Sequence, residues 1–518
     1  MHVWPSKRMW GWARLRWAGV AAVLALAGCA SGPTGSGVDS GSAELSCRQW
    51  FSDVDALVTK FKVNDAQDRK IEGFPQLRQS RFVASFQDRA AQSDAAFDAW
   101  FKQLRTLGNQ AHEVEIANLP GSALGVLWPS VNHSDVRAKT LAKTQACADA
   151  LDREDRSLAA RRELLLANPG VADDYSAAAR FVGLYALTRW PFGAGVSRWQ
   201  SITQGEFDKR SGTQSAPLER FMPVPSAVDE VSDALARTPR DALGISQLGE
   251  ALKQRLLDRH APILALAPQG PFDLIGEMSL GANGEPRVNA AKPTAYRRLA
   301  FTRQGSATLV QLVYLFWFSE RPKTGPLDLL GGALDGVIWR VTLDETGRPL
   351  MYDSIHACGC YHLFFPTPAL QAKPAPEPGI EWAFVPAPAP RLAPGERVVL
   401  GLASGTHYLN AVSASSDFSG KTYQALDESR LRSLAIEGDA GSVRGSLYAP
   451  DGIIAGTQRG ERYFFWPMGV RDAGAQRQWG RHATAFVGRR HFDDADLIDL
   501  RFRRVTESTG QDAIPKPR

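Results

Sequence analysis

The chain has 518 residues, a formal net charge of +5, and 44% hydrophobic against 22% charged residues. This composition excludes an intrinsically disordered chain, and the length predicts two or three domains. The positive charge is concentrated in residues 1–28, which hold Lys7, Arg8, Arg14 and Arg16 and no acidic residue. The remainder is close to neutral and lacks the basic surface that phosphate backbones require, so we expect no nucleic-acid partner.

The N-terminal segment has the features of an export signal. Its basic residues precede a short apolar run at 18–27, which is about half of the ~20 residues that span a bilayer as a helix. The run ends in Leu26-Ala27-Gly28-Cys29, which resembles the lipobox of bacterial lipoprotein precursors. The resemblance implies cleavage before Cys29, diacylglycerol on its sulfur and a fatty acyl chain, such as palmitate, on the new N-terminus. The alternative is an ordinary secretory signal peptide with a cysteine there by chance.

Residues 29–44 predict a flexible tether, because glycine and serine dominate the segment. By resemblance to lipoprotein sorting patterns, a residue other than aspartate after the cysteine, here Ala30, favours the outer membrane over the inner membrane. We therefore expect an envelope lipoprotein, held to a membrane by the lipid on Cys29. Its body would lie in the periplasm or at the cell surface.

Residues 45–260 predict a helical domain. Phenylalanine and leucine recur at helical spacings within 81–105, and 136–167 is rich in alanine, leucine and charged residues and stops before Asn168-Pro169-Gly170. Further helices are predicted over 173–187 and 228–259, the latter in two parts separated near Pro239. The stretch 193–226 between them is polar and predicts irregular structure.

Residues 261–518 predict a β-rich domain, which makes the fold class α+β. Hairpins are predicted around 281–284, 303–305 and 344–347, and the apolar run 309–318 predicts a central strand. Strand composition continues at 397–402, 408–412, 442–448 and 463–466. The segment 366–394 holds nine of the 32 prolines and predicts an extended excursion, because proline cannot donate to a sheet ladder.

Four cysteines remain after Cys29, and an oxidising envelope compartment favours pairing them. The expected disulfides join Cys47 to Cys147 and Cys358 to Cys360. The first would close a loop of about 100 residues, worth about 4.7 kcal/mol in the chain-entropy model. Its alternative is a pair of buried free thiols that pack as small apolar groups.

The segment from Ser354 to His362 is the strongest candidate for chemistry. His356, Cys358, Cys360 and His362 occupy alternate positions, so in a strand all four would share one face. Their side chains are ligands that zinc or copper prefers. A straight strand would separate the two histidines by about 20 Å, too far for one metal ion, so the chain must bend, and glycine 359 is where it could.

Three interpretations of this segment stay open: a Cys358–Cys360 disulfide, a metal site completed by a distant His407, His482 or His491, and a redox-active pair. Motifs for serine hydrolases, zinc proteases and phosphate loops are missing from the sequence, so an enzymatic activity is neither predicted nor excluded. We expect a lipoprotein that binds an envelope protein or a cell-wall component, or has a structural role. The alternative is a metal-binding or metal-dependent periplasmic protein.

Overall fold

The computed structural model describes residues 40–129, 135–168, 170–210, 218–224, 232–438 and 443–505. The predicted signal peptide at 1–28 and the lipidation site at Cys29 lie outside the described residues. The first helix begins at Ser40, so it includes the last residues of the predicted tether.

The helices lie mainly in the first half of the chain. They are α1 (Ser40–Lys60), α2 (Arg81–Ala84), α3 (Gln87–Ala90), α4 (Asp94–Asn118), α5 (Gly121–Gly125), α6 (Val136–Ser157), α7 (Ala159–Leu166), α8 (Ala177–Val182), α9 (Tyr185–Arg210), α10 (Ser232–Ala236), α11 (Glu250–Arg259), α12 (Arg462–Phe465) and α13 (Leu497–Arg501). Short 3₁₀ helices cover Pro271–Asp273, Glu428–Arg432 and Trp466–Met468.

The strands lie mainly in the second half of the chain. They are β1 (Arg69–Ile71), β2 (Phe74–Gln79), β3 (Glu219–Pro223), β4 (Ile263–Leu266), β5 (Glu277–Leu280), β6 (Pro286–Asn289), β7 (Thr294–Gln304), β8 (Ala307–Arg321), β9 (Gly332–Leu343), β10 (Pro349–His356), β11 (Leu363–Pro366), β12 (Leu370–Ala372), β13 (Arg397–Leu402), β14 (Leu409–Ser415), β15 (Lys421–Asp427), β16 (Leu434–Ala435), β17 (Arg444–Gly445) and β18 (Phe502–Arg504). The α+β class predicted from the sequence is confirmed.

One sheet of ten strands organises the second half, in the order β11-β10-β9-β8-β7-β15-β3-β4-β13-β14. The strands from β7 to β11 pair antiparallel, whereas β15 pairs parallel with both β7 and β3. The apolar run predicted as a central strand is β8, which is buried on both faces. Tyr314 and Phe316 pack into the core on one face, and Leu315 and Trp317 pack into the core on the other.

The N-terminal helices form a separate core around α4 and the small β1–β2 hairpin. Ser93 caps α4 by accepting a hydrogen bond from the backbone N–H of Ala96. A side chain at Gly108 would overlap the carbonyl oxygen of Gln76, so the absence of a Cβ lets α4 lie directly on β2. Cys47 of α1 and Cys147 of α6 form a disulfide that ties these two helices together.

Buried polar contacts join the helical region to the sheet region. Arg81 donates to the carboxylate of Asp493 at 2.9 Å and to the carbonyl oxygen of Gly480 at 2.7 Å. The hydroxyl oxygen of Tyr175 lies 2.8 and 2.9 Å from the carbonyl oxygens of Ala485 and Arg490, which share its one hydrogen. The two regions therefore share one folded body.

Three features of the structure differ from the sequence predictions. The boundary predicted at residue 260 does not separate the sheet from the helices, because β3 lies inside the sheet between β15 and β4. The stretch predicted as irregular from 193 is largely α9, which continues to Arg210 despite Pro191. Residues 463–466, predicted as a strand, lie in α12 and the 3₁₀ helix that follows it.

The spacing of apolar residues does not predict β3 or α9, and the reason is physical. β3 is short and receives its pairing from strands more than 40 residues away in the chain, and such tertiary pairing leaves no local signal. Helix α9 has glycines, a proline and no polar–apolar alternation, because both of its sides carry apolar residues. Within the described residues, no helix is both long and apolar enough to cross a membrane.

We expect Cys47→Ser or Cys147→Ser to destabilise the protein by about 2–5 kcal/mol, because the disulfide closes a long loop. Urea unfolding of the oxidised protein at one temperature measures the change. The double variant should lose no more stability than either single variant, since each substitution removes the same bond. Destabilisation of the double variant equal to the sum of the single changes would contradict a disulfide between these residues.

Candidate functional site

The segment from His356 to His362 is a tight turn between β10 and β11. The N–H of His356 donates to the carbonyl oxygen of Cys360 at 3.0 Å, and the N–H of Gly359 donates to the carbonyl oxygen of His356 at 2.8 Å. Gly359 has a positive φ of 94°, and a Cβ there would overlap the carbonyl oxygen of Ala483. The bend expected at Gly359 is therefore present, and only glycine fits it.

The turn places the two histidines in different environments. His356 lies near the carboxylate of Asp335, with 3.4 Å between Nδ1 and Oδ1. Nε2 of His362 lies 2.9 Å from the Asp353 carboxylate, which also accepts a hydrogen bond from Arg340. His356 and Asp353 project from opposite faces of β10, because they are three positions apart in the strand. The expectation that all four predicted residues share one face is wrong, because the chain reverses within the set.

Cys358 and Cys360 are adjacent free thiols in this structure, so the disulfide expected between them is not formed. The backbone N–H of Cys360 donates to Sγ of Cys358 at 3.4 Å. The hydrogen bond with Cys358 and burial raise the pKa of the Cys360 thiol well above its usual range. Cys360 is therefore a protonated thiol at neutral pH and a weak nucleophile.

The residues predicted as metal ligands do not converge on one point. Across the part of the chain that the structure describes, no group of three or more histidine, cysteine, aspartate or glutamate side chains is placed to hold a metal ion. Burial lowers the pKa of His362, His482 and His491 to about 3 in each case. A donor set for zinc or copper is thus not assembled around His356, Cys358, Cys360 and His362.

His407 is connected to the turn between β10 and β11 through a carboxylate that both His407 and His356 contact. Its Nδ1 lies 2.8 Å from Oδ2 of Asp335, and its Nε2 lies 3.3 Å from Oδ1 of Asp273. The ring stacks on Phe318 with 3.9 Å between centroids. Burial opposes the charged form of His407, but hydrogen bonds to Asp273 and Asp335 outweigh it and raise the pKa of His407 above its usual value.

The carboxylates on both sides of His407 remain ionised. Burial opposes ionisation of Asp273, but hydrogen bonds from His407, the backbone and Ser404 lower its pKa to about 2. Burial likewise opposes ionisation of Asp335, yet His356 and His407 hold its pKa far below the usual range. Asp273, His407, Asp335 and His356 therefore form a continuous buried chain, which we call the carboxylate–histidine chain.

Two tyrosines connect this chain to a cavity. The His356 ring lies 5.1 Å from the Tyr361 ring and 5.5 Å from the Tyr408 ring, between centroids. The two tyrosine rings are 4.5 Å apart. The Arg321 guanidinium donates to the hydroxyl of Tyr408 at 3.1 Å, and the hydroxyls of Tyr361 and Tyr408 hydrogen-bond each other, so one hydroxyl hydrogen of this pair remains to donate elsewhere.

The cavity has a volume of about 520 Å³ and lies between α9, the β10–β11 turn and α12. Its walls are mostly apolar, and its polar side chains are Cys360, Tyr361, Tyr408, Glu381 and Glu461. Apolar contacts come from Phe192, Val196, Trp199, Leu330, Phe465 and Phe486. Cavities of this size, apolar with a few polar groups, are typical of small-molecule sites.

Glu461 adds a weak acid to the floor of the cavity. Burial raises its pKa to about 7, against the opposing charges of Arg321 and Arg459. Near neutral pH a large fraction of Glu461 is therefore a neutral acid, which can donate a hydrogen bond. Tyr361, Tyr408 and Glu461 together form a cluster of hydrogen-bond donors at one end of an apolar space.

The sequence predictions missed Asp335, Tyr408 and Glu461. Asp335 sits in a strand that reads as apolar, and Glu461 lies in a segment predicted to lead into a strand. Their proximity to the turn follows from the pairing of β9 with β10 and from the packing of distant loops. The one local signal was the aspartate inside an apolar strand, because a buried carboxylate without a partner is energetically unfavourable.

Comparison with protein-family models, with curated proteins and with solved structures found no match.

The paired carboxylates predict a pH dependence for stability. Because the folded protein keeps the His407 proton above pH 6.5, where the unfolded chain releases it, the free energy of unfolding should fall as pH rises from 6.5. The fall that comes from His407 is at most about 1.4 kcal/mol per pH unit and ends once the pH passes the folded pKa. Urea unfolding of the parent and of His407→Gln, between about pH 6 and 9, measures it.

His407→Gln should show a smaller decline, since glutamine does not titrate, while the part of the decline that comes from the raised pKa of Glu461, about 7, should remain. His260→Gln is the control, because burial lowers the pKa of His260 to about 3 and its effect on stability lies below pH 6.5. The control should keep the decline. An identical pH profile for the parent and His407→Gln would show that the carboxylate–histidine chain does not hold a proton on His407.

Proposed function

We propose that this chain is an envelope lipoprotein whose folded body binds a small apolar ligand with one polar head. The observation that carries the proposal is the cavity of about 520 Å³ under α9, with apolar walls and hydrogen-bond donors at one end. The lipobox-like sequence ending at Cys29 supports the anchor, and the outer membrane is the favoured location. Binding to an envelope or cell-wall partner is compatible with this function.

The walls and the floor of the cavity define the ligand class. Phe192, Trp199 and Phe465 offer aromatic surface to an alkyl chain or a ring. At the floor, Tyr361, Tyr408 and protonated Glu461 favour a head that accepts hydrogen bonds, such as a carboxylate, ester or amide. Arg321, which binds Tyr408, adds positive charge near the head. A medium-chain carboxylic acid or its ester has these properties.

The same geometry favours binding over covalent catalysis. Cys360 is the nucleophile nearest the cavity, and its pKa is raised. Nε2 of His356 has no hydrogen-bond partner in the structure, so this imidazole does not activate the thiol. The metal-dependent alternative lacks support, because His356 and His362 bind different aspartates.

Filling the cavity should abolish binding. Gly195 of α9 borders the cavity, and a Cβ added there would meet no other atom within 4 Å, so Gly195→Phe can place its ring in the cavity. We expect the affinity for 1-N-phenylnaphthylamine, an uncharged aromatic probe whose emission rises in apolar sites, to fall about tenfold or more. Fluorescence titration of the full-length chain measures it.

Gly205→Phe is the matched control. Gly205 lies in the same helix and is equally open, but it does not border the cavity. This variant should bind the probe as the parent does, while carrying the same change in helix propensity. Equal affinities in all three proteins would show that the probe binds elsewhere and would contradict a ligand site in the cavity.

The anchor makes a separate prediction. Labelled palmitate fed to expressing bacteria should appear in the parent and in Cys358→Ala, but not in Cys29→Ala, because Cys29 carries the predicted lipid. Gel fluorography of the purified chains measures the incorporation. Label that persists in Cys29→Ala, or that is missing from the parent, would contradict lipidation at this cysteine.

A further inference from the structure

Exposed apolar side chains are grouped beside the cavity. We call this group the apolar rim and define it as Phe181, Leu184, Leu187, Trp190, Phe464 and Trp466. Phe181 is 83% exposed, Leu187 68% and Phe464 58%. Large contiguous apolar surface of this kind marks an interaction site in a folded protein.

The two segments that form the rim pack against each other. The N–H of Ser176, which caps α8, donates to the carbonyl oxygen of Gly469 at 2.8 Å. Arg180 donates to the carbonyl oxygen of Met468 at 2.8 Å, and the rings of Phe192 and Phe465 lie 5.3 Å apart. The segments that carry the rim residues, α8, the start of α9 and residues 463–468, are therefore packed together.

Helix α9 is apolar on both of its sides in this region. Phe192, Val196 and Trp199 line the cavity, whereas Leu187 and Trp190 point to solvent, with Trp190 57% exposed. A helix that is apolar all round is normally buried on all sides. The outer side of α9 thus exposes apolar side chains that would normally be buried.

The charged residues around the rim indicate what kind of surface could bind it. Residues 175–205 contain Arg180, Arg189 and Arg198 and no acidic residue, and residues 462–471 contain two arginines and no acidic residue. Carboxylates outside these segments lie within 4 Å of three of these five arginines: Glu377 is 3.9 Å from Arg189, Asp472 is 3.6 Å from Arg462 and Asp451 is 3.6 Å from Arg471. Arg180 and Arg198 are the two that carry positive charge without such a partner among the described residues. Arg180 donates to carbonyl oxygens of residues 468 and 488.

Tryptophan, phenylalanine and leucine flanked by arginine are typical of surfaces that insert into the headgroup region of a bilayer. The positive charge matches anionic lipid headgroups, each basic residue near such a surface adding attraction. A protein partner would instead need an apolar surface with acidic residues placed opposite these arginines.

The cavity opens beside the rim. Leu330, Glu461 and Phe465 border both the cavity and a neighbouring depression that Leu327 and Phe464 also line. The cavity and the rim are therefore neighbours, and Phe464 belongs both to the rim and to the depression beside the cavity.

We propose that the apolar rim docks on an anionic bilayer surface and that the cavity takes its ligand, a membrane amphiphile, from that bilayer. This inference rests on the proposed function for the identity of the ligand, but the docking of the rim can be tested independently. Docking places Trp190 and Trp466 among the upper acyl carbons, whereas Trp128 of the helical region stays in water.

Brominated acyl chains quench tryptophans that contact them, so they report docking. The lipidated chain that begins at Cys29 is reconstituted in vesicles of phosphatidylethanolamine and phosphatidylglycerol, with or without bromine on the acyl chains, because residues 1–28 hold four tryptophans that would report the predicted signal peptide instead. We expect the parent to be quenched, Trp190→Phe to lose about half of the quenching, and Trp128→Phe to keep it. Leu187→Asp should lose most of it, because it places a charge among the acyl chains.

Val126→Asp is the matched control for Leu187→Asp, since Val126 is 71% exposed and lies at the end of α5 in the N-terminal helical region. It should be quenched as the parent is. Quenching that is absent from the parent, or equal in Leu187→Asp and the parent, overturns the docking proposal and leaves the rim to a protein partner.

The probe titration separates this failure from failure of the proposed function. Leu187 does not border the cavity, so Leu187→Asp should bind 1-N-phenylnaphthylamine as the parent does. Docking without probe binding would refute the ligand site alone. Probe binding without docking would refute the rim alone.

Discussion

The carboxylate of Asp335 is the interaction on which the arrangement of the site depends. It is buried inside a strand, where an unpaired charge would be strongly unfavourable, and it binds both His356 and His407. These two contacts link the end of β10 to the loop before β14, so the turn at Gly359 and the Tyr408 side chain take fixed positions. The floor of the cavity is therefore set by a buried electrostatic network, while its roof is the weakly packed helix α9.

The floor and the roof of the cavity would have different roles in binding a ligand. A rigid polar floor can recognise the head of a ligand, whereas an apolar helix that carries glycines and a proline can adapt to the tail. The same helix faces outward with Leu187 and Trp190, so a contact at the apolar rim and occupancy of the cavity act on one element. The disulfide between α1 and α6 lies in a different core, so the N-terminal end of the described chain packs separately from the cavity.

Much of the fold could be predicted from the sequence, and the site only in part. The run 309–318 reads as a central strand because burial on both faces leaves no alternation, and the turn residues around 281–284 and 344–347 place their hairpins. Gly359 identified the bend. Which residues meet at that bend depends on strand register and on loops such as the one with His407, and these are tertiary properties without a local pattern. The shared face predicted for the four ligand-type residues failed because a turn, not a strand, occupies 357–361.

Native mass spectrometry of the chain with a medium-chain carboxylic acid, dodecanoate, tests the central claim most directly. The account predicts one bound molecule per chain for the parent, loss of the adduct in Gly195→Phe, and its weakening when Tyr361→Phe and Tyr408→Phe are combined. Adducts that are absent from the parent, or that persist unchanged in Gly195→Phe, would contradict a cavity that binds an apolar ligand by its polar head.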